Sequence, residues 1–218
     1  MNSKIIRLLL FSGCLAGVVF FVGDILFRGD WGSGRSFGPD RVYNVMASVA
    51  VWRLYLGSFA GPVGIWLEIL GMLGLWYCCR GAAPGMAAVM LVSLITFDIF
   101  GISPHGQYGP IGFALRYCGS DGDAVRHIER LNSIMTAVAT AFLVVGFASW
   151  IFLTLRKQTG VPSWTVVFCP IFTMWLEYAL VYVPAPIGFP LVVGWKSLSF
   201  AIFFSVVALT YDGHESES

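Results

Sequence analysis

The sequence predicts an all-α protein: a polytopic membrane bundle of six transmembrane helices, with one interfacial amphipathic helix after the first span. Three observations predict it. Six apolar stretches fill the chain, each near the roughly 20 residues that cross a bilayer. Of the 218 residues, 57% are hydrophobic and only 11% are charged, with mean hydropathy +0.79; a soluble domain carries about 25% charge. Trp and Tyr gather toward the ends of the apolar runs, as an interfacial aromatic belt requires.

The first span lies near residues 5–27. Lys4 and Arg7 precede it as in a signal peptide, and Phe11-Ser12-Gly13-Cys14 loosely resembles a lipoprotein cleavage box. The apolar stretch continues through Cys14 to Phe27, so a retained helix is expected. A Gly-rich charged loop follows at 28–40. Within 41–56, Val42, Val45, Met46, Val49, Trp52 and Leu56 recur at helical spacing. Trp52, Arg53 and Tyr55 suit the membrane–water boundary, so this is the interfacial helix.

The second span is 58–79. Gly57, Gly61, Gly64, Gly71 and Gly74 permit a neighbouring helix to approach closely. Pro62 falls in its first turns, where a missing amide hydrogen is tolerated. After a short turn at 80–85, the third span runs over 86–103 and is stopped by Pro104. A second long Gly-rich loop, 104–125, leads to a helix that starts polar near Arg126 and spans 130–155. A basic turn at 156–162 precedes the fifth span, 163–182, kinked at Pro170. A Pro-rich turn at 183–188 leads to the sixth span, 189–211, and the acidic tail 212–218 reads as disordered. Gly61-Pro62-Val63-Gly64 and Gly109-Pro110-Ile111-Gly112 are alike but do not recur at a fixed period, so residues 1–211 form one domain.

Net charge is +1, so a bulk electrostatic partner such as nucleic acid is not expected. The five cysteines are odd in number and lie mostly in apolar runs, which fits packing residues and not a disulfide framework. The stretch Gly57-Ser58-Phe59-Ala60-Gly61 suits helix packing within one chain or between chains, so an oligomer stays open. Six spans place both termini on one side, together with Lys4, Arg7, Arg80, Arg156 and Lys157. These compact basic segments favour cytoplasmic termini, although the opposite side also carries arginines.

An ionisable group at a helix centre costs roughly 2.5–3.5 kcal/mol on insertion scales, so each one in a span needs a reason. The side with the long loops collects them. Asp24 is near that end of the first span, Asp98 of the third and Glu177 of the fifth; Lys196 is about two turns into the sixth. Glu68 lies near the middle of the second span, at a depth that allows it to pair with Lys196. His105 follows the Pro104 break, where it can titrate near neutral pH.

The pattern predicts a polar cavity open to the loop side. Asp24, Glu68, Asp98, His105, Glu177 and Lys196 would line it and bind a small amphipathic or lipid-like ligand, as a carrier or sensor does. The bland reading sits beside each: Asp24 snorkelling to water, Glu68 and Lys196 as a purely internal ion pair, His105 as a helix cap. An alternative is an intramembrane lipid ester or amide hydrolase. In it His105 is the base, Asp98 orients it, and Ser93, Thr96 or Ser103 supplies the hydroxyl, Thr96 being favoured. A third reading is a structural subunit of a membrane complex whose charges face a partner helix.

Asp98, His105, His127 and Glu129 are metal-ligand types, but no His-Xaa-Xaa-Xaa-His spacing occurs and no metal is expected. Lys196 lacks the Asp one turn earlier that a retinal Schiff base needs. No dinucleotide, Walker or haem-attachment motif is present, which leaves the cofactor open.

Several segments together are similar to a family of small bacterial six-helix integral membrane proteins known only as a domain of unknown function. The segments are Gly23-Asp24, Trp52-Arg53-Leu54 leading through Gly57 to Gly61-Pro62, His105-Gly106, and residues 186–204. The resemblance implies six helices, a bacterial plasma (inner) membrane, and a shared site near Asp24 and His105. It implies no activity. Lys196 departs from it, standing where an uncharged polar residue such as Asn is expected.

Overall fold

The computed structural model describes residues 2–29, 45–118, 123–184 and 187–212; at 102–105, 118, 124–125 and 189 it describes the backbone alone. Every regular element among these residues is helical. The long helices are α1 (Ser3–Arg28), α2 (Val51–Cys79), α3 (Pro84–Cys118) and α4 (Asp123–Leu155). A broken stretch follows: a 3-10 helix over Ser163–Phe168, α5 (Pro170–Thr173), a second 3-10 turn over Met174–Leu176, and α6 (Glu177–Leu180). The last helix is α7 (Gly188–Thr210). Five of these helices, α1 to α4 and α7, are long and apolar enough to cross a membrane.

Helix α1 packs between α2 and α7. The Asn2 side chain accepts from the Lys4 amide at 2.9 Å and caps its start. Carbonyls at its C-terminal end accept from Arg53: Ile25 and Leu26 at 2.7 and 2.9 Å, and Gly29 at 2.8 Å. Glycines set its distance from α2. Leu10 meets Gly74, Gly13 meets Gly71, the Phe20 ring meets Gly64, and the Phe27 ring meets Gly57. The two helices therefore run antiparallel, one residue back for each residue forward. On its other side α1 meets α7: a Cβ on Gly17 would lie 2.5 Å from the Ala201 nitrogen and 2.7 Å from the Ser197 carbonyl. Helix α3 packs on α2 and α4. The shared core includes Met72, Leu75, Met90, Leu94, Phe147, Trp150, Phe203 and Phe204. Phe147 and Trp150 both meet the Phe203 ring edge-to-face.

The expected interfacial helix is described only in part, and two other elements differ from the sequence expectation. Residues 45–48 form one helical turn, Ala50 is extended, and 51–56 are the first turns of α2; 41–44 lie outside the described residues. Its apolar stripe is used inside the protein: Val45, Met46 and Val49 are buried with Phe27 and Leu54.

The third helix does not stop at Pro104 but continues to Cys118. Proline removes one backbone hydrogen bond, and membrane helices tolerate that where neighbours hold the chain. Here they do. Gly112 lies against Leu54, Tyr108 meets the Phe27 ring, and Arg116 donates to the Val49 carbonyl at 3.0 Å.

The stretch 163–182, expected as one kinked helix, is four short pieces. Pro162 and Pro170 lack amide hydrogens, and Cys169 is extended. The Trp195 indole donates to the Thr173 carbonyl at 2.7 Å and takes up an acceptor that the broken helix leaves open. The tail beyond Asp212 lies outside the described residues.

Adding volume where backbones touch is expected to destabilise the bundle. Gly17→Ala and Gly71→Val should each cost about 1–3 kcal/mol, read as a lower thermal midpoint by tryptophan fluorescence in detergent. Gly85→Ala, where a Cβ meets nothing within 4 Å, should leave the midpoint unchanged.

Candidate functional site

The sequence-predicted polar residues fall into separate groups. The first is built on Asp24 in the last turns of α1, only 2% exposed. Arg28, one turn later, donates to Asp24 Oδ1 as an i,i+4 ion pair. Ser197 of α7 donates to Asp24 Oδ2 at 2.8 Å. The Arg28 guanidinium also reaches the Val193 carbonyl at 3.4 Å and lies 5.0 Å from the centroid of the Tyr108 ring of α3. Its Nε is buried with no hydrogen-bond partner among the described residues. Three helices thus converge on one guanidinium near the C-terminal end of α1, where the helix dipole also favours a cation.

The second group is Lys196 of α7 with Glu177 of α6, Nζ to Oε1 at 3.5 Å. Lys196 pairs with Glu177 and not with Glu68 as expected. With the lysine side chain 58% exposed, such a pair contributes at most about 1 kcal/mol. Glu177 also lies within electrostatic range of Arg28, so the two groups adjoin.

The third group is Glu68 of α2 and Asp98 of α3, 4% and 3% exposed. Their carboxyl groups are in hydrogen-bond contact. A hydrogen bond between two carboxyls exists only when one of them carries a proton. Glu68 Oε1 and Asp98 Oδ2 are buried without a hydrogen-bond partner among the described residues. Glu68 lies between Gly64, which meets Phe20, and Gly71, which meets Gly13, so it is level with the middle of α1. Asp24 stands roughly 10 Å nearer the loop side by helical rise.

Thr96 donates its hydroxyl to the Val92 carbonyl of its own helix at 2.7 Å. Asp98 and His105 are about 10 Å apart along the helix axis, and the Asp98 carboxyl is engaged by Glu68. The His105 side chain lies outside the described portion. Among the described residues no three His, Cys, Asp or Glu side chains gather to hold a metal ion.

Sequence reasoning missed Arg28, Ser197, Tyr108 and Arg53 as parts of this region. The i,i+4 spacing of Asp24 and Arg28 was a readable signal. Tyr108 was hidden because the helix was ended at Pro104. Ser197 carried no signal of its own.

Removing one member of a buried ion pair leaves the other uncompensated. Arg28→Gln should therefore destabilise by about 3–5 kcal/mol, whereas Lys196→Gln should change stability by about 1 kcal/mol or less. Thermal unfolding of both variants in the same detergent checks the contrast.

No curated protein and no solved structure matches this chain. One family model, described as a family of unknown function, DUF6796, matches residues 1–213. With nearly the whole helical bundle inside that match, the chain belongs to the DUF6796 family.

Proposed function

We propose that the chain is a multi-pass integral membrane protein with six crossings, and that it binds a small amphipathic or lipid-like ligand as a carrier or sensor. The fifth crossing is the broken segment over 163–184. Its two ends support this. Ser163 donates to the Thr154 carbonyl at 3.2 Å, and the Asp212 amide donates to the Gly160 carbonyl at 3.1 Å. That is the end of the bundle where Arg7 donates to the Tyr211 carbonyl at 2.8 Å. Glu177, toward the other end of the segment, meets Lys196 near the start of α7. Six crossings place both ends of the bundle on one face with Lys4, Arg7, Arg80, Arg156 and Lys157. The compact basic segments on that face favour placing it in the cytoplasm of a bacterial cell, although the opposite face also carries arginines.

The ligand site of this reading is the node of Asp24, Arg28, Glu177, Lys196 and Ser197. The observation that carries it is the weak, half-open Glu177–Lys196 pair beside the buried Arg28–Asp24 pair. An anionic head group can replace Glu177 at Lys196 and share Arg28. Non-helical backbone at membrane depth is tolerated where protein buries it or a cavity needs it, and the broken segment is of that kind. Phe172, Trp175 and Leu176, all exposed, offer an apolar track for a tail.

Native mass spectrometry of the protein released from lipid nanodiscs tests the reading. A retained small amphipathic anion is expected, with long-chain carboxylates and lysophospholipids raising the thermal midpoint. Lys196→Glu should weaken that binding about tenfold, the equivalent of about 1.4 kcal/mol. If no species is retained and no such lipid shifts the midpoint, the ligand reading is wrong. Single cysteines at 81 and 156, both exposed, labelled from opposite faces of inside-out and right-side-out vesicles, test the topology. Both should react only from the cytoplasmic face.

A further inference from the structure

The Glu68–Asp98 pair plays no part in the ligand node, and its surroundings point to a different occupant. Every element packed around it is poor in charge. At this depth α1 presents Gly13, Cys14, Gly17 and Phe20, and the Cys14 sulfur sits 2.9 Å from the Ser205 hydroxyl. Helix α7 presents Ala201 and Phe204; its lysine, Lys196, is held by Glu177. Helix α4 carries no Asp, Glu, His, Lys or Arg from Leu131 to Leu155. No cation among the described residues faces the two acids.

Two carboxylates in contact, in apolar surroundings, resist being ionised together, because each is desolvated and each repels the other. Each also keeps one oxygen buried and unpartnered, Glu68 Oε1 and Asp98 Oδ2. An isolated packing feature would have these oxygens satisfied. An acceptor-rich pair with free lone pairs is instead suited to take up and give back a hydrogen ion.

We propose that Glu68 and Asp98 together form a proton-binding site at the middle of the bundle. In the loading step a hydrogen ion from water forms an O–H bond on one carboxylate. That O–H donates to the facing carboxylate, giving a charge-assisted O–H···O⁻ bond and lowering the negative charge of the pair by one unit. Release breaks the same O–H bond and returns the hydrogen ion to water, with no change of oxidation state. Acids placed so deep in membrane helices are associated with proton paths, and the pair joins α2 to α3, so loading alters the attraction between two spans. This site does not depend on the ligand node.

Infrared difference spectroscopy of the full chain in nanodiscs, stepped between alkaline and acidic buffer, tests the site. The wild type should show a protonated-carboxyl C=O stretch that shifts in heavy water and is lost in both Glu68→Gln and Asp98→Asn. Dicyclohexylcarbodiimide, which attacks protonated carboxyls in apolar sites, should label Glu68 or Asp98, with labelling falling severalfold as pH rises. The double variant E68Q/D98N, with amides of the same shape, should keep the wild-type tryptophan spectrum, so loss of the band is not loss of the fold. A band that survives both single variants overturns the proposal. So does a thermal midpoint raised by sodium chloride over choline chloride in the wild type and not in Glu68→Gln, which would make the pair a metal-cation site. Lys196→Gln should leave the band intact, so failure of the ligand reading and failure of this one are separate results.

Discussion

Close backbone contact between α1 and its two neighbours is the constraint on which the rest of this structure depends. In lipid no hydrophobic force draws apolar helices together, so packing and polar contacts must do it. Gly13 and Gly71 bring α1 and α2 to backbone distance, and Gly17 does the same for α1 and α7. This contact sets two registers at once. One places Ser197 opposite Asp24; the other sets Glu68 level with the middle of α1. A side chain at Gly17 or Gly71 would spread the helices and move every polar group away from its partner.

Within that frame the polar groups answer burial in three ways. Asp24 accepts from a guanidinium and a hydroxyl, so its charge is matched where it sits. Glu177 and Lys196 stay near the surface, where a pair is weak and exchangeable. Glu68 and Asp98 have no cation facing them among the described residues and lean on each other. The groups differ in depth, and the strength of each solution follows the local access of water. An exposed pair needs little compensation, a buried pair needs a full complement of donors, and two like charges need a proton.

Much of the fold was legible because membrane insertion acts on composition. Stretches of about 20 apolar residues mark α1 and α7 to within two residues and the C-terminal ends of α2 and α4, which start earlier, at Val51 and Asp123. What failed was local punctuation. Pro104 reads as a stop, but contacts between the second half of α3 and Phe27, Leu54 and Val49 hold that half helical. Pro170 reads as a kink, yet 163–182 breaks into several pieces, with the Trp195 indole taking one open carbonyl. The stripe at 41–56 reads as a lipid-facing helix, and its described residues Val45, Met46 and Val49 pack inside the protein. In each case a distant partner outweighed a propensity of order 1–3 kcal/mol.

The sequence by itself determined the class of protein, the positions of most apolar helices, and the fact that ionisable residues sit inside them, because the cost of charge in hydrocarbon and the thickness of a bilayer act on each segment alone. Tertiary structure alone decided which of those residues meet. Lys196 turned to Glu177 and left Glu68 to Asp98, and Arg28 with Ser197 completed Asp24. Pairing depends on helix register, and register is set by which glycines face each other, a property of two helices that neither one carries in its own residues.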